Sequence, residues 1–357
     1  MSRLLLVGAR PPPTGGVATH LDQLRRALVQ RGVEVTALDP RRRGPDGRDG
    51  RPRLILMLAH HAGRGNLVHV HTNGHNRKSW LLAAACSLPS GGRRALLTLH
   101  SGLAPAFMRS HQQWVRILCN RFTYVIAVNA ELAAALAEAG VDPARVVLCP
   151  AFSPTGQELR LSPPGLRAVR RRHPMLLAAA LAPGREYGAD VLLDAFSMMR
   201  VHHERAGLML YGPGTRSPQL AREVARRGLD GAVHLWGELD RPRALALVES
   251  ADVFVRPTRA DGDALSVREA LALGVPVVAS AVGTRPPETR LFPAGDARAL
   301  AAALVETIFR AVGNPGGQKA PPTSADDCLP TLMALYRRCG LEIAAHATTG
   351  TPLATAS

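Results

Sequence analysis

Short apolar runs recur along the chain, and each is followed by a longer stretch with helical spacing. The first series reads RLLLVG (3–8), VEVTAL (33–38), LVHVH (67–71), ALLTLH (95–100), YVIAV (124–128) and RVVLCP (145–150). The second reads MLLAAAL (175–181), GLMLYG (207–212), AVHLWG (232–237), DVFVRP (252–257) and VPVVAS (275–280). Between them lie amphipathic stretches such as VATHLDQLRRALVQRG (17–32), which stops at Gly32 as a helix should, and LALVESA (245–251). Alternation of this kind implies parallel sheets with crossover helices. The expected class is α/β: two doubly wound, Rossmann-like domains facing each other across a cleft.

The breaks in the rhythm set the expected boundaries. SPTGQELRLSPPGLRAVRRRHP (153–174), rich in Pro, Gly and charge, reads as an interdomain linker, with a first domain over 1–157 and a second over 165–313. PRRRGPDGRDGRPR (40–53) reads as a surface loop and NPGGQKAPPTSA (314–325) as a second linker. A last amphipathic helix is expected over 327–346. A chain of 357 residues with 46% apolar content is long enough for two cores.

No apolar run reaches the roughly 18–20 residues that span a bilayer, and MSRLLLVGAR lacks the features of a secretory signal, so a cytoplasmic protein is expected. The five cysteines are scattered and odd in number, without C-x-x-C, and read as buried thiols. The formal charge of +16 is uneven: residues 1–160 carry +12 and the rest +4. The basic half points to an anionic partner, among them nucleic acid, phosphorylated substrates or the inner face of an anionic membrane. Only Lys78 and Lys319 are lysines, so a solvated arginine-rich face remains an alternative for part of that charge. With aromatics at 4% and no motif that interleaves them with basic residues, nucleic acid is not expected.

In open parallel sheets ligands collect beyond the carboxyl ends of the strands, and the candidate motifs fall there. RLLLVGARPPPTGGVATHL is a strand, a loop and a helix with Gly15 and Gly16 at the helix start. Two residues without Cβ atoms let a phosphate approach free amides, or they make an ordinary turn. LLTLHSG places His100 at a strand end, suited to a sugar hydroxyl, a phosphate or acid–base work. HVHTNGHNRKSW (69–80) offers His69, His71, His75, Arg77 and Lys78; no carboxylate or cysteine accompanies the histidines, so His75, Arg77 and Lys78 read as a cationic, acceptor-side rim and no metal is expected. Gly212 and Gly214 in YGPGT permit close approach of a planar ring or ribose, or form a tight turn. Arg185, in the loop ALAPGREYGAD, is able to pair bidentately with a diphosphate.

RADGDALSVREALALGVPVVAS (259–280) sets Asp261 and Glu269 eight positions apart, with a helix start expected near Leu265 or Ser266. The two acids then stand on either side of the helix's first amides. A carboxylate accepts two hydroxyl hydrogen bonds, as vicinal sugar hydroxyls require, and the amides of DALS hold negative charge with the helix dipole assisting. One acid for a sugar, one for a ribose and a phosphate between them describes a nucleotide-sugar site.

PTGGVATHLDQL, HVHTNGHNRKSWLLA, LLTLHSG, VIAVNAELAAALAEAGVDPARVVLCPAF, YGPGT and ADVFVRPTRADGDALSVREALALGVPVVASAVGTRPPETRLF together resemble the family 4 retaining glycosyltransferases of GT-B fold. The last stretch is similar to that family's Glu-x7-Glu signature. The resemblance implies that Asp261 contacts the transferred sugar and Glu269 the nucleotide ribose. It further implies that the Gly262 loop and the amides of Asp263, Ala264, Leu265 and Ser266 hold sugar and phosphate, that Gly16 faces the diphosphate, that His100 is the cleft histidine, and that the last helix crosses back to the first domain. Two departures stand out: Asp261 replaces the first Glu, and Ala180 and Tyr187 stand near the places of the family's Arg and Lys pair, leaving Arg185, with Arg256 or Arg259, to offset the diphosphate. The expected activity is transfer of a hexose-type sugar from a nucleotide diphosphate sugar to a glycan or lipid-linked acceptor, with retention, no cofactor, and a place in polysaccharide or glycolipid biosynthesis. A weak or inactive member, a nucleotide-sugar epimerase of the same architecture and a nucleic-acid-binding protein are the rival readings.

Overall fold

A computed structural model describes residues 3–11, 15–41, 50–87, 94–150, 159–313 and 328–343. The second linker (314–325), most of the 40–53 loop and residues 151–158 lie outside the described residues.

Twelve strands form in chain order: β1 (Leu4–Val7), β2 (Val35–Leu38), β3 (Leu67–Thr72), β4 (Ala95–Leu99), β5 (Tyr124–Ala127), β6 (Val146–Leu148), β7 (Leu176–Ala180), β8 (Gly207–Tyr211), β9 (Val233–Gly237), β10 (Val253–Arg256), β11 (Val277–Ser280) and β12 (Arg290–Phe292). They build two six-stranded sheets ordered β2-β1-β3-β4-β5-β6 and β12-β11-β10-β7-β8-β9. All pairings are parallel. The strands expected from the apolar runs are all present. β12 is an addition: its sequence, RLF, exposes its first two residues at the sheet edge, so it lacks the apolar run that marks a covered strand.

The helices are α1 (Gly16–Gln30), α2 (Gly50–Gly63), α3 (Arg77–Ser87), α4 (Ala104–Ser110), α5 (Gln112–Cys119), α6 (Ala130–Glu138), α7 (Leu166–Arg172), α8 (Ala189–Arg200), α9 (Pro218–Arg226), α10 (Arg241–Glu249), α11 (Leu265–Ala272), α12 (Ala297–Gly313) and α13 (Cys328–Arg338). Their starts follow from local chemistry. Asn129 accepts from the Leu132 amide at 2.8 Å to begin α6, and Asp240 accepts from the Arg243 amide at 3.0 Å to begin α10. α7 corrects the reading of 153–174 as linker throughout. Leu166 and Val169 lie on one face of a short helix and pack under the second sheet, while its arginines stay at the surface.

Strand alternation divides each core in two. Leu5 and Val7 of β1 join Trp80 and Phe122 on one face of the first sheet, whereas Leu4 and Leu6 meet Leu21 and Leu24 of α1 and Leu332 and Tyr336 of α13 on the other. The C-terminal helix is therefore part of the first domain's core. In the second sheet Leu177 and Ala179 pack with α8 and α12, and Leu176 and Ala178 with α10 and α11. The crossover direction reverses between β1 and β3 and between β7 and β10, which leaves a crevice at the carboxyl ends of each pair.

Candidate active site at the interdomain seam

The loop from β10 to α11 holds Asp261, whose carboxylate is fully engaged. Arg256 donates from Nε to Oδ2 at 2.8 Å and from Nη2 to Oδ1 at 3.2 Å. Arg285 Nη2 and Thr258 Oγ1 each donate to Oδ2 at 3.1 Å, and the Gly262 amide donates to Oδ1 at 3.2 Å. The side chain is 11% exposed. Burial alone would raise its pKa, but Arg256 and Arg285 hold it down at about 2.

Glu269 lies one turn into α11, 12% exposed and paired with Arg241 at the start of α10. With its amide oxygen turned toward Arg241, Gln23 of α1 accepts from Nη1 at 2.8 Å. The two acids flank the start of α11, and each carboxylate is engaged by arginine. The reason is electrostatic: Arg256, Arg285 and Arg241 are largely withdrawn from water and require anions beside them.

Between the acids the backbone is available. Ala264 begins α11 without a side-chain cap, and among the described residues no acceptor meets the amides of Leu265 or Ser266. Asp263, by contrast, is buried at 1% exposure in a two-pronged pair with Arg268 (Nε to Oδ1 2.9 Å, Nη2 to Oδ2 2.9 Å), so its side chain braces the loop. Gly262 is a contact point between domains. A Cβ there would collide with the His100 carbonyl, and its own carbonyl accepts from Asn129 Nδ2 at 3.2 Å.

The other glycines divide by cause. Gly15 is extended (φ −152°) and Gly16 opens α1; a Cβ at either meets nothing within 4 Å among the described residues, so packing against them does not demand glycine. Gly212 and Gly214 take positive φ (114° and 78°), and Cβ atoms there would strike Leu181 and Pro183; the turn explains both.

Arg185 lies exposed in a single 3-10 turn, Arg185–Tyr187, with no ion pair among the described residues. Arg259 is committed to Asp190 (Nη1 to Oδ1 2.8 Å). Arg256 Nη1 donates to the Ala180 carbonyl at 3.2 Å and its guanidinium carbon sits 5.5 Å from the centre of the Tyr187 ring, so this cation fills the space between Ala180 and Tyr187. Across the seam, His100 Nε2 lies 3.1 Å from His71 Nδ1, and burial keeps both rings well below the ordinary histidine pKa. His75 Nδ1 lies 3.2 Å from Ser101 Oγ; burial lowers its pKa and Glu186 opposes that shift, while Arg77 and Lys78 are exposed at the start of α3. Arg241, Arg285, Gln23 and Asn129 were not among the residues expected from sequence. In a chain this rich in arginine, nothing local marks the ones that will face a buried acid.

A family model described as "Glycosyltransferase Family 4" matches residues 14–155, and one described as "Glycosyl transferases group 1" matches residues 173–308. The chain is 24% identical over 334 residues to a glycogen synthase of Mycobacterium tuberculosis, covering 79% of this chain and 78% of the relative. In fold it is similar to Anabaena Alr3699/HepE in complex with UDP and glucose (TM-score 0.69, 17% identity, 95% and 100% of the two chains). It is likewise similar to the sucrose-phosphate synthase of Thermosynechococcus elongatus (TM-score 0.70, 20% identity, 95% and 99%).

Proposed function

The chain belongs to the family 4 glycosyltransferases of GT-B fold, and on that premise we propose that it moves a hexose-type sugar from a nucleoside diphosphate sugar to a glycan or lipid-linked acceptor, with retention at the anomeric carbon and without a metal cofactor. The observation that carries this reading is that two helices with uncapped starts, α1 at Gly15–Gly16 and α11 at Leu265–Ser266, touch and are tied by Gln23, Arg241 and Glu269. Helix starts with free amides suit a diphosphate.

Transfer requires stabilising a developing sugar cation and a departing diphosphate, so preorganised charge matters more than a strong nucleophile. In this proposal the amides of Leu265 and Ser266 and the open backbone at Gly15 and Gly16 hold the phosphates. Arg185 adds a cation from the facing loop, and Arg256 and Arg285 supply the charge that a lysine or metal would otherwise bring. Asp261 holds those two guanidiniums in place beside the sugar, His100 meets the sugar from the first domain, and Glu269 exchanges part of its contact with Arg241 for the ribose hydroxyls. His75, Arg77 and Lys78 form the acceptor-side rim. The position of Arg256 between Ala180 and Tyr187 favours an active enzyme over a weakened one. The epimerase reading finds no support in the relatives, and nothing at the site favours it.

Titration calorimetry with a panel of nucleoside diphosphate hexoses tests the reading. Wild-type protein binds at least one, and Glu269→Ala weakens it by more than about tenfold, the equivalent of one charge-assisted hydrogen bond; equal affinities, or no donor bound by the wild type, count against it. Proton NMR of the product reports whether the anomeric configuration is kept.

The basic first half supports a second element of the proposal, an acceptor presented at an anionic membrane surface on the cytoplasmic side. No helix among the described residues is long and apolar enough to cross a membrane. Flotation with anionic and neutral vesicles at low salt separates the outcomes: equal retention defeats this element and leaves the transferase reading intact.

A further inference from the structure

We propose that His20, His71 and His100 form a binding site for one divalent ion of the zinc class, distinct from the catalytic requirement for transfer. One ligand nitrogen from each of the three rings lies within 4.8 Å of the other two. His71 Nδ1 and His100 Nε2 are 3.1 Å apart, close to the roughly 3.3 Å between two nitrogens that share a tetrahedral zinc at about 2.0–2.1 Å.

The fold brings the three together from distant parts of the first domain. Alternation along β3 puts His69 and His71 on the face that α1 and α13 cover, and His20 descends onto that face from one turn into α1. His100 follows directly after β4, whose Leu99 pairs with Thr72 beside His71. Ring centroids are 5.3 Å apart for His20 and His71, 4.9 Å for His20 and His100, and 5.4 Å for His71 and His100.

The surroundings suit a metal. His20 and His71 are buried and His100 is half-buried, and burial keeps all three imidazoles neutral, with lone pairs to give. Burial and neighbouring histidines are what lower the His71 and His100 rings. Among the described residues the hydrogen bond to His100 is the only one His71's ring makes, its buried Nε2 having no partner, so no side chain outside the cluster holds Nδ1 away from an ion. His69 is different: Tyr336 and Thr98 satisfy both its nitrogens at 2.7 Å, and it serves as a wall against His71, 4.1 Å away centre to centre. Three imidazoles without a carboxylate select zinc, copper or nickel over magnesium or calcium. Coordination needs a lone pair at each ligating nitrogen, so whichever of His71 and His100 now donates to the other shifts its hydrogen to its second ring nitrogen. His100, the most exposed of the three, opens the site toward the seam.

Occupancy withdraws the His100 ring from the donor sugar, so a bound ion is expected to weaken donor binding. That consequence rests on the transferase reading; the site itself does not.

The test uses full-length protein freed of metal by chelation, titrated with Zn(II) and, separately, Co(II). One equivalent binds, Co(II) gives the visible bands of a tetrahedral nitrogen–oxygen site without a thiolate charge-transfer band, and zinc-edge absorption of the loaded protein shows imidazole scattering. His20→Gln and His100→Gln each weaken binding by more than about 100-fold, beyond the effect of an outer-shell change, while His234→Gln does not. A sulfur shell, no stoichiometric binding, or equal affinity in His100→Gln overturns the site; because the absorption measurement needs no variant, misfolding of one substitution does not rescue it. Donor calorimetry on loaded and stripped protein separates the two claims. If the metal binds as described and donor affinity is unchanged, the role of His100 toward the sugar falls and the metal site stands.

Discussion

Asp261 illustrates how a residue's type can be read from sequence while its job cannot. A carboxylate accepts from hydroxyls and guanidiniums alike, and the buried arginines at 256 and 285 claim it here. Removing it leaves those cations unpaired, so Asp261→Ala is expected to lower stability by about 3–5 kcal/mol in urea unfolding. The acid limb follows from its depressed pKa. Its stabilising contribution is complete above the unfolded value of 3.8 and is lost as pH falls through about 2, a change on the order of 2 kcal/mol that Asp261→Asn abolishes. The glycines give a sharper contrast. Gly16→Ala adds a Cβ that meets no described residue at a helix start and is expected to keep or raise the melting temperature while weakening donor binding. Gly262→Ala drives its Cβ into the His100 carbonyl and is expected to destabilise the seam; a Gly16→Ala protein less stable than Gly262→Ala would reverse this assignment.

At the scale of elements, the strands were legible because a parallel strand covered on both faces must be apolar throughout. β12 and α7 were not. One is a short, half-exposed edge strand, and the other is about two amphipathic turns whose arginines hide it among linker residues. α6 carries a test of how elements join the site. Asn129 both caps this helix and donates to the Gly262 carbonyl of the other domain, so Asn129→Ala is expected to cost about 1 kcal/mol for the cap and more from the lost contact across the seam. Asn129→Asp keeps a capping oxygen but not the donor, and a stability equal to wild type in that variant would show that the seam contact contributes nothing.

For the whole molecule, the chain closes on itself: α13, at the far end of the sequence, completes the core of the first domain with Leu329, Leu332, Leu335 and Tyr336. Ending the chain before residue 328 uncovers that apolar face, and the truncated protein is expected to melt markedly lower or to aggregate in a light-scattering melt. Tyr336→Phe, which removes only the hydroxyl at His69, is expected to cost about 1–3 kcal/mol. By itself the sequence determined the alternating architecture, the two-domain plan, the glycines at the start of α1 and the eight-residue spacing of Asp261 and Glu269, because covered strands, helix starts and loop spacing are written in neighbouring residues. Only the tertiary structure decided which arginines those acids hold, which glycines serve contact between domains, and that His20, His71 and His100 converge. Burial and charge pairing join residues far apart in the chain, and local pattern carries no record of them.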